Sequence, residues 1–144
     1  MIEVKFYDDI DDELLKFAVI IARTNGKWVF CKHRERETYE VPGGHRENGE
    51  SILDTAKREL REETGAVDFI IKPICIYSVK GKTRVNQNVY EETFGKLFIA
   101  DILSFEELHS EIEKILITDN LVDNWTYPLI QPKLIEEAKK RGYI

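Results

Sequence analysis

Residues 43–66, GGHRENGESILDTAKRELREETGA, join a pair of glycines to a short acidic helix. Ser51 is a favourable N-cap, and Asp54 three residues later makes a pattern close to a capping box. Gly65 stands where many helices end in a left-handed C′ residue. This stretch therefore predicts a helix over residues 51–63.

The acids of this helix border its predicted buried face. At about 100° per residue, the core stripe contains Ile52, Leu53, Ala56 and Leu60. Glu59, Glu62 and Glu63 share the neighbouring face, where like charges repel and are partly desolvated. Arg58 offsets part of this repulsion, and a divalent cation, which prefers carboxylate oxygens, would offset the rest. A salt-bridged surface helix is the alternative, and the three glutamates alone slightly favour it.

The glycines before the helix point to close approach by a ligand. Pro42 is followed by Gly43 and Gly44. Because the two glycines have no Cβ, a ligand can come close to their backbone N–H and carbonyl groups. A free carbonyl there is a further hard oxygen ligand. An ordinary turn at the end of a strand is the alternative for this segment.

Bulk composition restricts the function classes. The 144 residues are 42% hydrophobic with a net charge of −6, which fits one folded domain over residues 1–144. The acidic balance argues against long nucleic acid and anionic membranes as partners. It leaves a small anionic substrate open, since a bound metal inverts the local field.

Cysteine usage and the N-terminus give an expected location. Cys31 and Cys75 belong to no Cys/His cluster, which argues against zinc and for two buried strand residues. The sequence shows no signal-peptide pattern and no apolar run long enough to span a membrane. We expect a cytoplasmic protein.

Hydrophobic patterning outside the helix is mostly that of strands. Asn25-Gly26 predicts a hairpin turn, residues 8–13 an acidic loop and residues 80–84 a basic turn. Strands are predicted over 2–7, 17–23, 28–32, 69–79, 88–94, 96–102 (around Gly95) and 111–117, and helices over 104–109 and 132–141. The order indicates an α+β protein with a mixed β-sheet flanked by helices, not a doubly wound βαβ protein.

Residues 44–66 resemble the Nudix box. The family pattern is Gly, five residues, Glu, seven residues, then Arg-Glu-aliphatic-x-Glu-Glu-x-Gly-aliphatic. Here Gly44, Glu50 and the run from Arg58 to Gly65 match every fixed position, and only Ala66 is smaller than the usual aliphatic residue. YEVPGG before the box also looks like the family's lead-in. The resemblance implies an α/β/α sandwich, the Nudix fold.

The resemblance also implies a Mg²⁺- or Mn²⁺-dependent hydrolase of nucleoside diphosphate-linked substrates. Glu59, Glu62, Glu63 and the carbonyl of Gly44 would hold the metal. Arg58 would orient a glutamate of the box, and Glu50 would support the start of the helix.

The sequence leaves open which residue is the general base. It lies in the box or in a later loop, and Glu111 occupies a position where many family members place an extra acid. Glu111 is the leading candidate for an extra ligand or base. Its competitors are Glu106, Glu107 and Glu113, and a surface role is equally compatible with its sequence position.

The compact layout looks like the MutT group, which hydrolyses nucleoside triphosphates to the monophosphate and pyrophosphate. Arg34 matches a position where that group often binds phosphate, although a solvated strand end explains it equally well. His45 could meet a phosphate, but a solvent-facing loop histidine is the stronger interpretation. MutT carries an asparagine two residues before a proline, and Thr126 stands there in TYPLIQP. This difference argues against strict oxidised-guanine specificity. Trp28, Tyr39, Trp125 and Tyr127 are candidates for base stacking.

Alternative substrates stay open. KGKTR lacks the proline of ADP-ribose hydrolases and the tyrosine of diadenosine polyphosphate hydrolases. An RNA 5′ end, a nucleotide sugar or a dinucleotide are alternative substrates, and a non-catalytic nucleotide-sensing module is an alternative class. A homodimer is also open, with residues 2–7 as a potential edge.

Overall fold

The computed structural model describes residues 2–82, 90–108 and 112–144. Its strands are β1 (Glu3–Tyr7), β2 (Leu15–Thr24), β3 (Lys27–His33), β4 (Gly43–His45), β5 (Ala66–Lys80), β6 (Glu92–Phe105) and β7 (Ile112–Thr118). The helices are α1 (Ile52–Thr64) and α2 (Gln131–Lys140), and Asp12–Leu14 form a single 3₁₀ turn within the predicted acidic loop.

The strands form one mixed sheet in the order β1-β5-β6-β2-β3-β7, with β4 paired to β2 off this path. Only β2 and β6 pair in parallel among the described strands. β1 is an edge strand, as its sequence predicted. The first half of β2 pairs with β4 and its last residues pair with β3, so this strand joins the glycine pair to the rest of the sheet.

Helices cover both faces of the sheet. Side chains alternate along β2, so Ile20 and Ile21 point to opposite faces. Ile20 belongs to a buried cluster with Ala56 and Leu60 of α1. Ile21 belongs to a second cluster with residues of α2 such as Leu134. The predicted α+β class and helix-flanked mixed sheet are confirmed.

Local sequence signals explain the hairpin and the first helix. Asn25 and Gly26 have φ values of 50° and 76°, as a two-residue hairpin turn between β2 and β3 requires. Ser51 and Asp54 form a complete capping box at the start of α1, and Gly65 ends the helix in the left-handed conformation. The prediction that Leu53 belongs to the core stripe of this helix is wrong, because its side chain is exposed.

Two element predictions after α1 are also wrong. The strands predicted over 88–94 and 96–102 are one continuous strand, β6, in the described part from residue 92 onward. Gly95 lies inside β6 and forms no turn. A Cβ at this position would come within 2.7 Å of the Tyr77 ring, so the glycine makes room for that side chain. The helix predicted over 104–109 is absent from residues 104–108, which finish β6 and continue as irregular chain. Residues 83, 84, 88, 89, 109 and 111 of the predicted elements lie outside the described residues.

The cysteine prediction is confirmed, since Cys31 and Cys75 are buried and unpaired. No helix in the described ranges is long and apolar enough to cross a membrane.

Candidate active site

The glycine pair brings the acidic face of α1 to a cavity. β4 runs antiparallel to β2, with Gly43 opposite Val19 and Gly44 opposite Ala18. A cavity of about 400 Å³ opens at this point. Its charged and polar lining includes His33, Arg36, Glu40, His45, Glu47, Arg58, Glu59, Glu63 and Gln131, and its apolar lining includes Phe17, Val19, Val41, Tyr127, Ile130 and Leu134.

Glu63 has a polar partner at each of its two carboxylate oxygens. Its side chain is buried, and the backbone N–H of Gly43 donates to Oε1 over 2.8 Å. His33 Nε2 lies 3.5 Å from Oε2 on the other side. The contact with Glu63 raises the pKa of His33, which favours a positive charge beside this carboxylate. The carboxyl group therefore has a fixed orientation at the cavity wall.

Glu59 occupies the space that a side chain at position 44 would fill. A Cβ on Gly44 would lie 2.5 Å from the Glu59 carboxyl carbon and from Oε1. Burial, followed by the nearby charge of Glu63, raises the pKa of Glu59 to about 7. Two carboxyl groups crowded against a glycine backbone are a donor set that favours a hard cation.

Gly43 has a different requirement. A Cβ on this residue would lie 2.6 Å from the carbonyl oxygen of Ala18, so a side chain would separate β4 from β2. The first glycine therefore holds the strand pairing, and the second makes room for the carboxyl group.

Arg58 ties the start of the box to the helix. Its Nε and Nη2 donate to the two oxygens of Glu50 over 2.6 and 3.0 Å, and Nη2 also donates to the carbonyl of His45. Its Nη1 donates to Glu59 Oε1 over 2.7 Å. Hydrogen bonds from Arg58, from the Glu47 backbone and from Thr55 lower the pKa of Glu50 to about 2.

The structure does not bring all three predicted acids together. Glu62 has a side chain that is 52% exposed and lies 3.4 Å from Arg58 Nη1, and it is not among the described residues that line the cavity. Across the described ranges, no three His, Cys, Asp or Glu side chains converge as a metal-binding group. Glu59 and Glu63 meet at the glycine pair, while the role of Glu62 stays a prediction.

Arg36, which the sequence did not single out, contributes a guanidinium to the cavity lining. Its Nη1 donates to Glu40 Oε1 over 2.9 Å, and Glu40 is itself buried, which raises the pKa of its carboxyl group. The predicted Arg34 is exposed in the turn after β3, outside the lining formed by the described residues. The contacts that join His33 and Arg36 to Glu40 come from the tertiary fold, so no local sequence signal marks them.

The late acids are placed unevenly. Glu111 lies outside the described residues, so its predicted role stays a prediction. Of its competitors, Glu113 forms an ion pair with Lys32, which lowers the pKa of Glu113. Glu106 and Glu107 are exposed after β6.

The four aromatic candidates for base stacking separate clearly. Trp28 is buried in the core and stacks on Phe30, and Trp125 contacts the same ring edge-on. Tyr39 pairs with Trp125 through a backbone bridge. Tyr127 is the candidate that lines the cavity among the described residues.

Two further residues weighed from the sequence have definite positions. His45 belongs to β4, and its ring packs 4.4 Å from that of Phe17 at the cavity. Thr126 is buried, and its hydroxyl is 2.7 Å from that of Thr38.

Comparisons with known proteins agree with this architecture. The model of the NUDIX domain matches residues 13–139. The chain is 36% identical, over 97 residues, to the candidate 8-oxo-dGTP diphosphatase YtkD of Bacillus subtilis (strain 168), a match that covers 67% of this chain and 61% of YtkD. Among solved structures, it resembles a point mutant of the Bacillus subtilis pyrophosphohydrolase BsRppH, with 25% identity, a TM-score of 0.78, and coverage of 99% of this chain and 92% of that one. It also resembles a NUDIX hydrolase from Nitrosomonas europaea, with 21% identity, a TM-score of 0.68, and coverage of 88% and 89%.

The structure is a helix-flanked mixed sheet in which two carboxyl groups meet a glycine pair in the wall of one cavity. The family match extends over most of the sequence, and the chain belongs to the Nudix hydrolase family. The resemblance carried by residues 44–66 is thereby confirmed. The aligned region spans less than two thirds of YtkD.

The hydrogen bonds of Arg58 generate a stability prediction. We expect Arg58→Gln to lower the thermal unfolding midpoint by several degrees, because Glu50 and the His45 carbonyl both lose their guanidinium partner. Lys57→Gln on the same helix is the control, since Lys57 forms no ion pair among the described residues.

The same pair of variants has a defined pH dependence. The pKa of Glu50 is lowered in the folded protein, so its contribution to stability is present above about pH 4.5 and is lost as the pH falls toward about 2. The gap between wild type and Arg58→Gln should narrow over this window in calorimetry. An equal effect of both substitutions near neutral pH would contradict the assignment.

Proposed function

We propose that this protein is a divalent-metal-dependent pyrophosphohydrolase. Its substrate would be a nucleoside triphosphate or a modified one, (d)NTP, cleaved by water to the monophosphate and pyrophosphate. The observation that carries the proposal is the placement of Glu59 and Glu63 against Gly43 and Gly44 in the wall of one cavity.

The residues present fit a hard divalent cation. Carboxylate and carbonyl oxygens are the ligands that Mg²⁺ and Mn²⁺ prefer, and Gly44 leaves room for the Glu59 carboxyl group beside its backbone. Nudix hydrolases generally use divalent metal ions. We assign the metal to Glu59, Glu62, Glu63 and the carbonyl of Gly44. A bound cation neutralises phosphate oxygens and lowers the pKa of an attacking water molecule.

The side chains around the acids have separate roles in this proposal. The Gly43 N–H and His33 orient Glu63, and Arg58 positions Glu59 from the opposite side. Pre-orientation of this kind lowers the cost of arranging the site during reaction. Glu62, Glu63 and Glu111 are the candidates for the group that takes the proton of the attacking water.

Similarity to named proteins supports the substrate class. YtkD carries the name of a candidate 8-oxo-dGTP diphosphatase, and BsRppH is named a pyrophosphohydrolase. RNA 5′ ends, nucleotide sugars and dinucleotides are the alternative substrates, and a nucleotide-sensing module is the alternative class. Two buried free cysteines suit a reducing compartment such as the cytoplasm. We expect neither a membrane nor a long nucleic acid as partner, and a homodimer is compatible with the position of β1 at the edge of the sheet that the described strands form.

Turnover tests the proposal directly. With Mg²⁺ and a panel of nucleoside triphosphates, the wild type should release the monophosphate and pyrophosphate. Glu63→Gln should lower kcat/KM by a factor of about 100 or more, because it replaces a charged ligand by a neutral one. Asp54→Asn, on the exposed side of α1, is the matched control and should keep most of the activity.

Two outcomes of this assay would contradict separate parts of the proposal. A wild type that hydrolyses no nucleotide at micromolar enzyme would contradict the activity. Wild-type rates in both Glu62→Gln and Glu63→Gln would refute the metal assignment even with a real activity. Glu111→Gln belongs in the same series, and an unchanged rate and pH profile would remove Glu111 from the mechanism.

The two arginines after β3 can be separated by a matched pair of variants. Arg36 lines the cavity, so we expect Arg36→Gln to raise KM for a triphosphate about tenfold through loss of a charge-assisted contact. Arg34→Gln removes the same charge from an exposed turn and should change KM less. Steady-state kinetics at fixed ionic strength measures both, and the reverse ranking would restore Arg34 as the phosphate-binding residue.

A further inference from the structure

Gln131 has a side chain with one fixed end and one free end. It is the first residue of α2, only 5% exposed, and it lines the cavity. The backbone N–H of Val41 donates to Gln131 Oε1 over 2.9 Å. A backbone N–H can only donate, so the atom that faces it must be the amide oxygen. This contact fixes which way the amide is turned.

The other end of the amide, Nε2, carries two hydrogen-bond donors. Gln131 Nε2 makes no hydrogen bond with any residue in the described ranges. Nε2 is also not fully buried. In those ranges, the one fully buried side-chain polar atom without a hydrogen-bond partner is Arg23 Nε. The nitrogen therefore keeps some accessible surface, on a residue that lines the cavity. Donors in a nearly buried group favour a ligand that supplies an acceptor.

The surroundings of the amide suit a nucleobase. Tyr127, Ile130 and Leu134 add aromatic and apolar surface to the same cavity. The amide is anchored at Val41, and Glu63 is anchored two residues later at Gly43. The two backbone nitrogens that hold these groups are therefore at most about 7 Å apart, which is less than the length of a nucleotide. A nucleotide with its phosphates at Glu63 can reach Gln131 with its base.

The free donors distinguish between purines. A 6-oxopurine presents two adjacent acceptors, O6 and N7, whereas adenine presents the N7 acceptor beside an amino donor at position 6. A glutamine that reads adenine uses its oxygen for that amino group, and here Oε1 is engaged by the Val41 N–H. The two Nε2 donors of Gln131 therefore match both acceptors of guanine or hypoxanthine, but only the N7 acceptor of adenine, whose amino group at position 6 is itself a donor.

We propose that Gln131 is a specificity-determining residue that selects 6-oxopurine nucleotides over 6-aminopurine nucleotides. The inference rests on the proposed function of the same cavity and adds the class of base. Thr126, the position singled out from the sequence for base contact, instead has its hydroxyl bonded to Thr38.

The test compares ITP with ATP, which differ at position 6 and in the protonation of N1. The wild type should hydrolyse ITP with a kcat/KM about tenfold or more above that for ATP. Gln131→Glu keeps an oxygen for the Val41 N–H and turns a second oxygen toward the cavity. At about pH 8, above the pKa of about 7 that burial gives Glu59 in the same cavity, this variant should abolish or reverse the preference. Lys133→Gln on the same helix should keep the wild-type ratio.

Binding provides the second readout. Calorimetric titration with the non-hydrolysable imido analogues of ITP and ATP should give the same order of affinities, and thermal unfolding should show that Gln131→Glu folds. Equal wild-type values for the two bases, a wild-type ratio in Gln131→Glu, or no binding of either analogue would overturn the inference. Binding with the expected preference but without hydrolysis would instead overturn the proposed activity and leave the role of Gln131 intact.

Discussion

The close approach of the Glu59 carboxyl group to Gly44 is the constraint on which the site depends. A carboxyl group that is mostly buried beside a second buried carboxyl is costly, and here the backbone offers it room that any other residue would fill. Glu63 meets the same strand through the Gly43 N–H. The apolar face of α1 packs on one face of the sheet, and α2 packs on the other. Glu59 and Glu63 of α1 nevertheless line a cavity that α2 residues also line.

The rest of the fold keeps this contact in place. β2 is central in the sheet, and it holds β4 on one side of its first half and β6 on the other. The alternating side chains of β2 pack in both buried clusters, each of which includes residues of one helix. Because β4 pairs with β2, its position depends on the packing of both helices. Arg58 adds a second tie, from α1 to the His45 carbonyl at the end of β4. Pairing, packing and ion pairs therefore act on the same few residues.

Much of this arrangement could be predicted from local signals. The capping box, the Asn25-Gly26 turn and the strand alternation each depend on near neighbours in sequence. The failures have tertiary causes: Gly95 looks like a turn until the ring of Tyr77 is placed over it. The sequence did not single out Arg36, Glu40 or Gln131. Two tertiary contacts bring them to the cavity, the backbone bridge between residues 31 and 40 and the Val41–Gln131 hydrogen bond. Neither contact leaves a repeating hydrophobic pattern in the sequence.

In the proposed metal site, Gly44 makes room for the Glu59 carboxyl group, and Mn²⁺ affinity tests this role most directly. Electron paramagnetic resonance titration should show that Gly44→Ala weakens Mn²⁺ binding about tenfold or more, since the added Cβ displaces Glu59. In a Glu59→Ala background the same substitution should add little, because the clashing group is gone. A folded Gly44→Ala protein that binds Mn²⁺ as tightly as the wild type would contradict the account.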